Sequence, residues 1–95
     1  MTWNTTEQVE FANITATTAA FSLKGGQYAV TAHGTWGGGS LTLQRLAADG
    51  STFVNCLSAF TADGYATVNL PNGTYKFAVV TATGIYVDIT SIVVA

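Results

Sequence analysis

The chain has 95 residues, of which 48% are apolar and only 8% are charged, and its formal net charge is −2. A chain of this length forms one domain around one core. Three basic residues, Lys24, Arg45 and Lys76, are too few and too dispersed for the basic stripe that binds phosphates, which argues against a nucleic-acid partner. A single cysteine, Cys56, excludes an intrachain disulfide.

The N-terminal residues lack the basic and apolar regions of a secretory signal, and no apolar run approaches the roughly 18 residues of a membrane span. We therefore expect synthesis in a cytosol and no membrane partner. Residues 1–17 differ from the rest, because Thr, Asn and Ala surround scattered apolar residues. They are predicted to form an N-terminal arm or a peripheral strand. In an arm, Trp3 and Phe11 would be exposed unless they find a partner, so both are candidate interface residues.

Residues 18–95 are predicted to form one antiparallel β-sandwich domain. Short runs of alternating apolar residues recur at intervals of roughly 8–12 residues, separated by turns that carry glycine. The predicted strands cover residues 18–23, 27–33, 40–46, 52–57, 65–70, 74–82 and 85–94. With the peripheral strand this makes an all-β fold of 7 or 8 short strands.

The alternation within these strands predicts which side chains point inward. The predicted inward residues are Tyr28, Val30, Ala32, Leu41, Leu43, Ala66, Val68, Leu70, Tyr75, Phe77, Val79, Ile85, Val87 and Ile89. The opposite face carries the polar residues Thr31, Thr42, Gln44, Thr67, Asn69, Lys76 and Asp88, which is typical of antiparallel sheets with one solvated side. Strand number leaves jelly-roll and immunoglobulin-like topologies both open.

The sequence contains no recognisable catalytic, cofactor or metal site, so we expect a protein that is not an enzyme and has no cofactor. His33 is the only histidine and Cys56 the only cysteine, which leaves no familiar zinc spacing. Asp49 and Asp63 are each followed by glycine and are interpreted as turn residues. A calcium site built from such turn carboxylates stays open, although no Asp-x-Asp spacing supports it.

Trp36 lies in the most unusual segment, a run of four glycines and a tryptophan within residues 34–39. No lysine or helical pattern follows it, which argues against a phosphate-binding loop. Two interpretations remain for Trp36. The indole is folded back over an edge of the sandwich, or it is presented outward to a protein or a sugar ring.

Several segments resemble small virion proteins of tailed bacteriophages and prophages. They are Phe21-Ser-Leu-Lys-Gly-Gly-Gln-Tyr28, Gly34-Thr-Trp-Gly-Gly-Gly-Ser-Leu-Thr-Leu-Gln44, Asp49-Gly-Ser-Thr-Phe53 and Leu70-Pro-Asn-Gly-Thr-Tyr-Lys-Phe77. The resemblance covers most of the chain from Phe21 onward. It implies a head decoration (cement) protein, often a trimer, that binds the major capsid protein or another virion protein on the capsid exterior after synthesis in the host cytoplasm.

The alternative is a carbohydrate- or receptor-binding module of a tail fibre or spike. In that case Trp36 and some of Tyr65, Tyr86 and Trp3 would form a stacking platform for the ligand. This hypothesis predicts exposed aromatic rings with polar side chains nearby, and it makes Tyr65 and Tyr86 candidate interface residues in either case.

Overall fold

A computed structural model describes residues 8–92 and folds them into eight β-strands. The strands are β1 Gln8–Ile14, β2 Phe21–Leu23, β3 Gly26–Thr35, β4 Ser40–Leu46, β5 Phe53–Asn55, β6 Gly64–Leu70, β7 Gly73–Val80 and β8 Thr83–Ser91. Within residues 8–92 there is no helix long and apolar enough to span a membrane.

The eight strands form two four-stranded antiparallel sheets. The first sheet has the order β1-β8-β3-β6 and the second has the order β2-β7-β4-β5. β1 pairs with β8, β2 with β7, β3 with β6 and β4 with β5, as in a long hairpin rolled up on itself. Two further pairings, β3 with β8 and β4 with β7, join these ribbons into the sheets. This is the order of a jelly roll, one of the two topologies that strand number left open.

The predicted inward face is confirmed, because alternate residues of the long strands meet in one core between the sheets. Its largest fully buried side chains are Tyr28, Tyr75, Phe77, Leu41, Leu43, Ile85, Ile89 and Val30. Ala66 and Val68 also point inward but are half-buried, because β6 is an edge strand.

Thr42 is an exception to the predicted polar face, since it is buried. The chain that follows β5 continues beside β4 instead of leaving it. The Leu41 N–H donates to the Phe60 carbonyl (2.9 Å), the Phe60 N–H donates back to Leu41 (2.8 Å), and the Cys56 N–H donates to the Leu43 carbonyl (2.9 Å). The prediction of an exposed Thr42 was therefore wrong, because these non-local contacts enclose that part of β4.

Residues 8–14 form the edge strand β1, with Val9 opposite Ile89 and Phe11 opposite Val87. The strand predicted from residue 18 starts only at Phe21. The preceding threonines still contact β7, through the Thr18 N–H, which donates to the Phe77 carbonyl (3.0 Å), and through both side chains. The Thr18 hydroxyl accepts from the Phe77 N–H, at 3.1 Å, and the Thr17 hydroxyl accepts from the Val79 N–H, also at 3.1 Å. These two hydroxyls satisfy backbone donors of β7 beyond the end of β2.

Candidate binding surface

Asp63, in the β5–β6 loop, forms hydrogen bonds to the end of β3 and to the β3–β4 loop at one end of the sandwich. One of its carboxylate oxygens accepts from the Trp36 indole N–H (2.8 Å) and from the Gly34 N–H (3.0 Å). The other lies 2.7 Å from His33 Nδ1. The β3–β4 loop is thereby fastened to the residue that precedes β6.

The strand register explains why these residues meet. Gly64 is paired with Ala32, so Asp63 lies next to His33 although 30 positions separate them in the chain. Hydrogen bonds from Trp36, His33 and the Gly34 N–H, in that order of size, lower the pKa of Asp63 to about 2. The carboxylate is therefore ionised at neutral pH, and in this state it accepts the hydrogen bonds from Trp36, His33 and the Gly34 N–H.

His33 and Asp63 have the geometry of the base and carboxylate of a catalytic triad. A nucleophile would complete such a triad by hydrogen bonding to the second imidazole nitrogen. Among residues 8–92, no hydroxyl or thiol forms that contact. The observed effect of the pair is to hold the loop.

Tyr86 and Tyr65 are exposed on the outer face of the first sheet. Their side chains are 50% and 65% exposed, respectively. Tyr86 is opposite His33 and Tyr65 is opposite Thr31, which puts the two tyrosines on either side of β3. From strand spacing and rise, their backbones lie about 12 Å apart. The rings of His33 and Tyr86 are 6.3 Å apart at an angle of 34°.

A shallow depression of about 290 Å³ lies beside Tyr86 on this face. Its polar lining comes from Glu10, Asp88, Thr31 and His33. Glu10 and Asp88 are directly opposite each other on β1 and β8, so two carboxylates share the depression. We call the outer face around Tyr65, Tyr86 and this depression the tyrosine surface.

Two of the three basic residues, Lys76 and Arg45, make contacts elsewhere. The Lys76 ammonium lies 4.2 Å from the centre of the Phe53 ring, on the second sheet. The Arg45 guanidinium donates to the Asn72 carbonyl at 2.8 Å. The tyrosine surface thus combines exposed aromatic rings with an acidic patch.

The other predicted interface residues lie in different environments. Phe11 is half-buried and packs against Phe21 and Phe77, with ring centres 5.7 and 6.0 Å away. Trp36 is half-buried against the core, which agrees with the interpretation that it folds back over the sandwich edge. Trp3 lies outside the described residues. Of the four predicted interface residues within 8–92, the structure brings together Tyr65 and Tyr86 on one exposed face.

Sequence reasoning missed the contact between His33 and Asp63, because it interpreted Asp63 only as a turn residue. The two residues meet only through the pairing of β3 with β6, which places residue 63 opposite residue 33, and no sequence pattern signals this contact. Cys56 is half-buried, and burial raises the pKa of its thiol. Within residues 8–92, no three histidine, cysteine or acidic side chains lie close enough to hold a metal ion.

No protein-family model, curated protein or solved structure matches this chain. The fold and the site define it as a small jelly-roll β-sandwich that presents two exposed tyrosines beside an acidic depression on the outer face of one sheet.

Proposed function

We propose that this protein is a non-enzymatic structural protein that docks on a larger protein assembly through the tyrosine surface. The observation that carries the proposal is the presence of Tyr65 and Tyr86 on the outer face of one sheet of the sandwich. Tyrosine is enriched at protein interfaces because it offers a large apolar ring, a polar hydroxyl and few rotatable bonds.

In the specific form of the proposal, the assembly is the head of a tailed bacteriophage and the protein is a decoration protein that binds the major capsid protein on the capsid exterior. A 95-residue chain with 8% charged residues and one unpaired cysteine can fold in the host cytoplasm without disulfides. Each bound copy would add contact area between neighbouring coat subunits and so reinforce the shell. The sequence resemblance implies a trimer, but docking through the tyrosine surface does not depend on the number of copies.

The test is co-sedimentation of the purified protein with capsids of the phage or prophage whose genome encodes it, after removal of their accessory proteins. We expect saturable binding at a fixed ratio to the coat protein. The double variant Tyr65→Ala, Tyr86→Ala should lose most of the binding. The matched control is Val54→Ala, Val80→Ala, which truncates two exposed apolar residues of the second sheet. Absence of co-sedimentation would overturn the proposal, and equal loss in both variants would remove the tyrosine surface as the docking face.

A second candidate function is carbohydrate binding, favoured by the depression beside Tyr86. An exposed ring next to Glu10, Asp88 and Thr31 offers one stacking face together with oxygen acceptors for sugar hydroxyls. Glycan-array binding that Tyr86→Ala abolishes and Val54→Ala leaves intact would support this function. Capsid binding with no response to any glycan would exclude it.

A further inference from the structure

The two sheets have four edges, and three of them carry features that hinder pairing with another chain. β1 contains Glu10 and has an irregular register between Phe11 and Ile14. β2 and β5 contain three residues each. Charges, bulges and short strands are the ordinary means by which edge strands avoid pairing.

β6 has none of these features. It runs for seven residues, Gly64–Leu70, without a charged residue or a proline. Its register with β3 is unbroken from Leu70 opposite Gly26 to Gly64 opposite Ala32. Among the described residues, no strand pairs with its other side.

The hydrogen-bond pattern shows which backbone groups of β6 face this open side. The Ile92 N–H donates to the Gln27 carbonyl at 2.8 Å, so Gln27 and every second residue after it in β3 direct their backbone groups toward β8. The intervening residues Tyr28 and Val30 therefore bond to β6, through Val68 and Ala66.

It follows from this alternation that the remaining residues of β6 point their backbone groups away from the sheet. These residues are Tyr65, Thr67 and Asn69, and each presents one N–H and one C=O at the open edge. Their side chains all lie on the outer face of the sheet and are exposed.

We propose that two copies of this chain pair through antiparallel β6 strands around a two-fold axis at Thr67. Thr67 would then face Thr67 of the second copy, and Tyr65 of each copy would face Asn69 of the other. All three residues present outward backbone groups, so every outward N–H meets a C=O and the pair forms six interchain hydrogen bonds. The result is one continuous eight-stranded sheet.

The side chains of β6 are compatible with this symmetry. Around a two-fold axis, the same strand of each copy faces the other in the opposite direction, so any charge on β6 would lie close to its own copy and repel it. β6 has no charged residue. Ala66 and Val68 face each other on the inner side, where both are only half-buried in the single copy. Pairing would cover these two apolar side chains and extend the core across the axis. A second copy is therefore a better fit than an unrelated charged strand.

The first measurement is the mass of the full chain by light scattering over a concentration series. We expect a reversible rise from 9.9 kDa to about twice that value. Hydrogen exchange should show concentration-dependent protection of the Tyr65, Thr67 and Asn69 amides. The Ala66 and Val68 amides should be protected at every concentration, because they bond to β3 in the single copy.

The decisive variant is Thr67→Pro, with Thr67→Val as its matched control. Proline removes an outward N–H, so the bonds between β3 and β6 stay intact, but the pair loses two of its interchain hydrogen bonds. We expect the dissociation constant of the pair to rise at least about tenfold. Thr67→Val keeps the N–H and should preserve the pair.

Thr67→Lys provides a second variant in case the proline disturbs folding. It sets two like charges opposite each other on the axis and should also dissociate the pair, with recovery at high salt. A mass of 9.9 kDa at every concentration, a trimer, or a dimer unaffected by Thr67→Pro and Thr67→Lys would each overturn the proposal. None of these measurements uses a capsid or a glycan, so loss of the dimer would leave docking through the tyrosine surface untouched. A trimer would overturn the β6 pair and favour the oligomer that the sequence resemblance implies.

Discussion

Replacing Phe11 by alanine tests whether residues 8–14 are an integral strand of the sandwich. Phe11 reaches from β1 into the core and contacts two other rings. It meets Phe77 edge-to-face, with an interplanar angle of 81°, and it meets Phe21 at 47°. Phe77 is completely buried, so Phe11 covers one end of the core.

The expected loss of stability follows from the half-buried state of Phe11. A fully buried Phe→Ala substitution costs about 3–5 kcal/mol, and a half-buried ring loses roughly half of this. The two aromatic pairs, worth about 0.5–1.5 kcal/mol each, are already part of this cost and place it toward the upper end of the range. We therefore expect Phe11→Ala to lower the free energy of unfolding by about 2–3 kcal/mol. A domain of this size has about 5–14 kcal/mol in total, so the variant should still fold.

Urea unfolding at neutral pH measures this change, and the melting temperature should fall by roughly 10–20 °C. Val54→Ala is the control, because Val54 is 54% exposed and its truncation should change stability by less than about 0.5 kcal/mol. If Phe11→Ala has as small an effect as Val54→Ala, Phe11 does not pack against the core in solution. The assignment of β1 to the sandwich would then be refuted.

Two further predictions concern the loops at the sandwich ends. The pKa of Asp63 is lowered to about 2, so the stability it contributes is present above its unfolded pKa near 3.9 and is lost as the pH falls through about 2. As the pH falls through this range, the NMR resonance of the Trp36 indole N–H should shift in the native chain, because the carboxylate that accepts its hydrogen bond is protonated. The control Asp49→Asn, which leaves the Trp36–Asp63 hydrogen bond unchanged, should show the same shift, and Asp63→Asn should show none. Gly39→Ala should cost more than about 4 kcal/mol or prevent folding, because a Cβ there would overlap the backbone of β7 and the turn after it. In Gly38→Ala the added Cβ meets open space, and only the positive φ of 81° at this position opposes the substitution. We expect it to lower the free energy of unfolding by about 1 kcal/mol, measured by thermal unfolding. Equal losses of stability in Gly38→Ala and Gly39→Ala would contradict the packing at Gly39.

The burial of each tyrosine in the described fold could be predicted from alternation alone. Tyr28 and Tyr75 share a face with apolar neighbours and are buried, whereas Tyr65 and Tyr86 lie between inward residues and are exposed. This works because successive strand residues point to opposite sides, and one side of each sheet faces water. Each buried hydroxyl also donates to a carbonyl four residues earlier, Lys24 for Tyr28 and Pro71 for Tyr75.

The order of the strands and the contacts between loops could not be predicted in the same way. The alternation is a local property, but the pairing of β1 with β8 joins residues some 80 positions apart. The Asp63 contacts with His33 and Trp36 depend on another non-local pairing, that of β3 with β6. The burial of Thr42 likewise depends on the contacts of β4 with Cys56 and Phe60. Asp63 followed by glycine is a turn signal wherever it occurs, so sequence pattern alone carries no information about which loop it contacts.

Pairing through β6 would also change what the tyrosine surface can bind. Tyr65 lies on the paired strand itself, so the two copies of Tyr65 would be about 14 Å apart across the axis, with one Tyr86 on each outer side. A single face with two tyrosines makes a small contact, which favours weak binding. Two such faces on one continuous sheet would bind a repetitive surface bivalently, and the second contact would form at a high effective concentration. Thr67→Pro leaves both tyrosines intact. If this variant binds capsids more weakly than the native chain, the affinity for the capsid depends on the pair of copies.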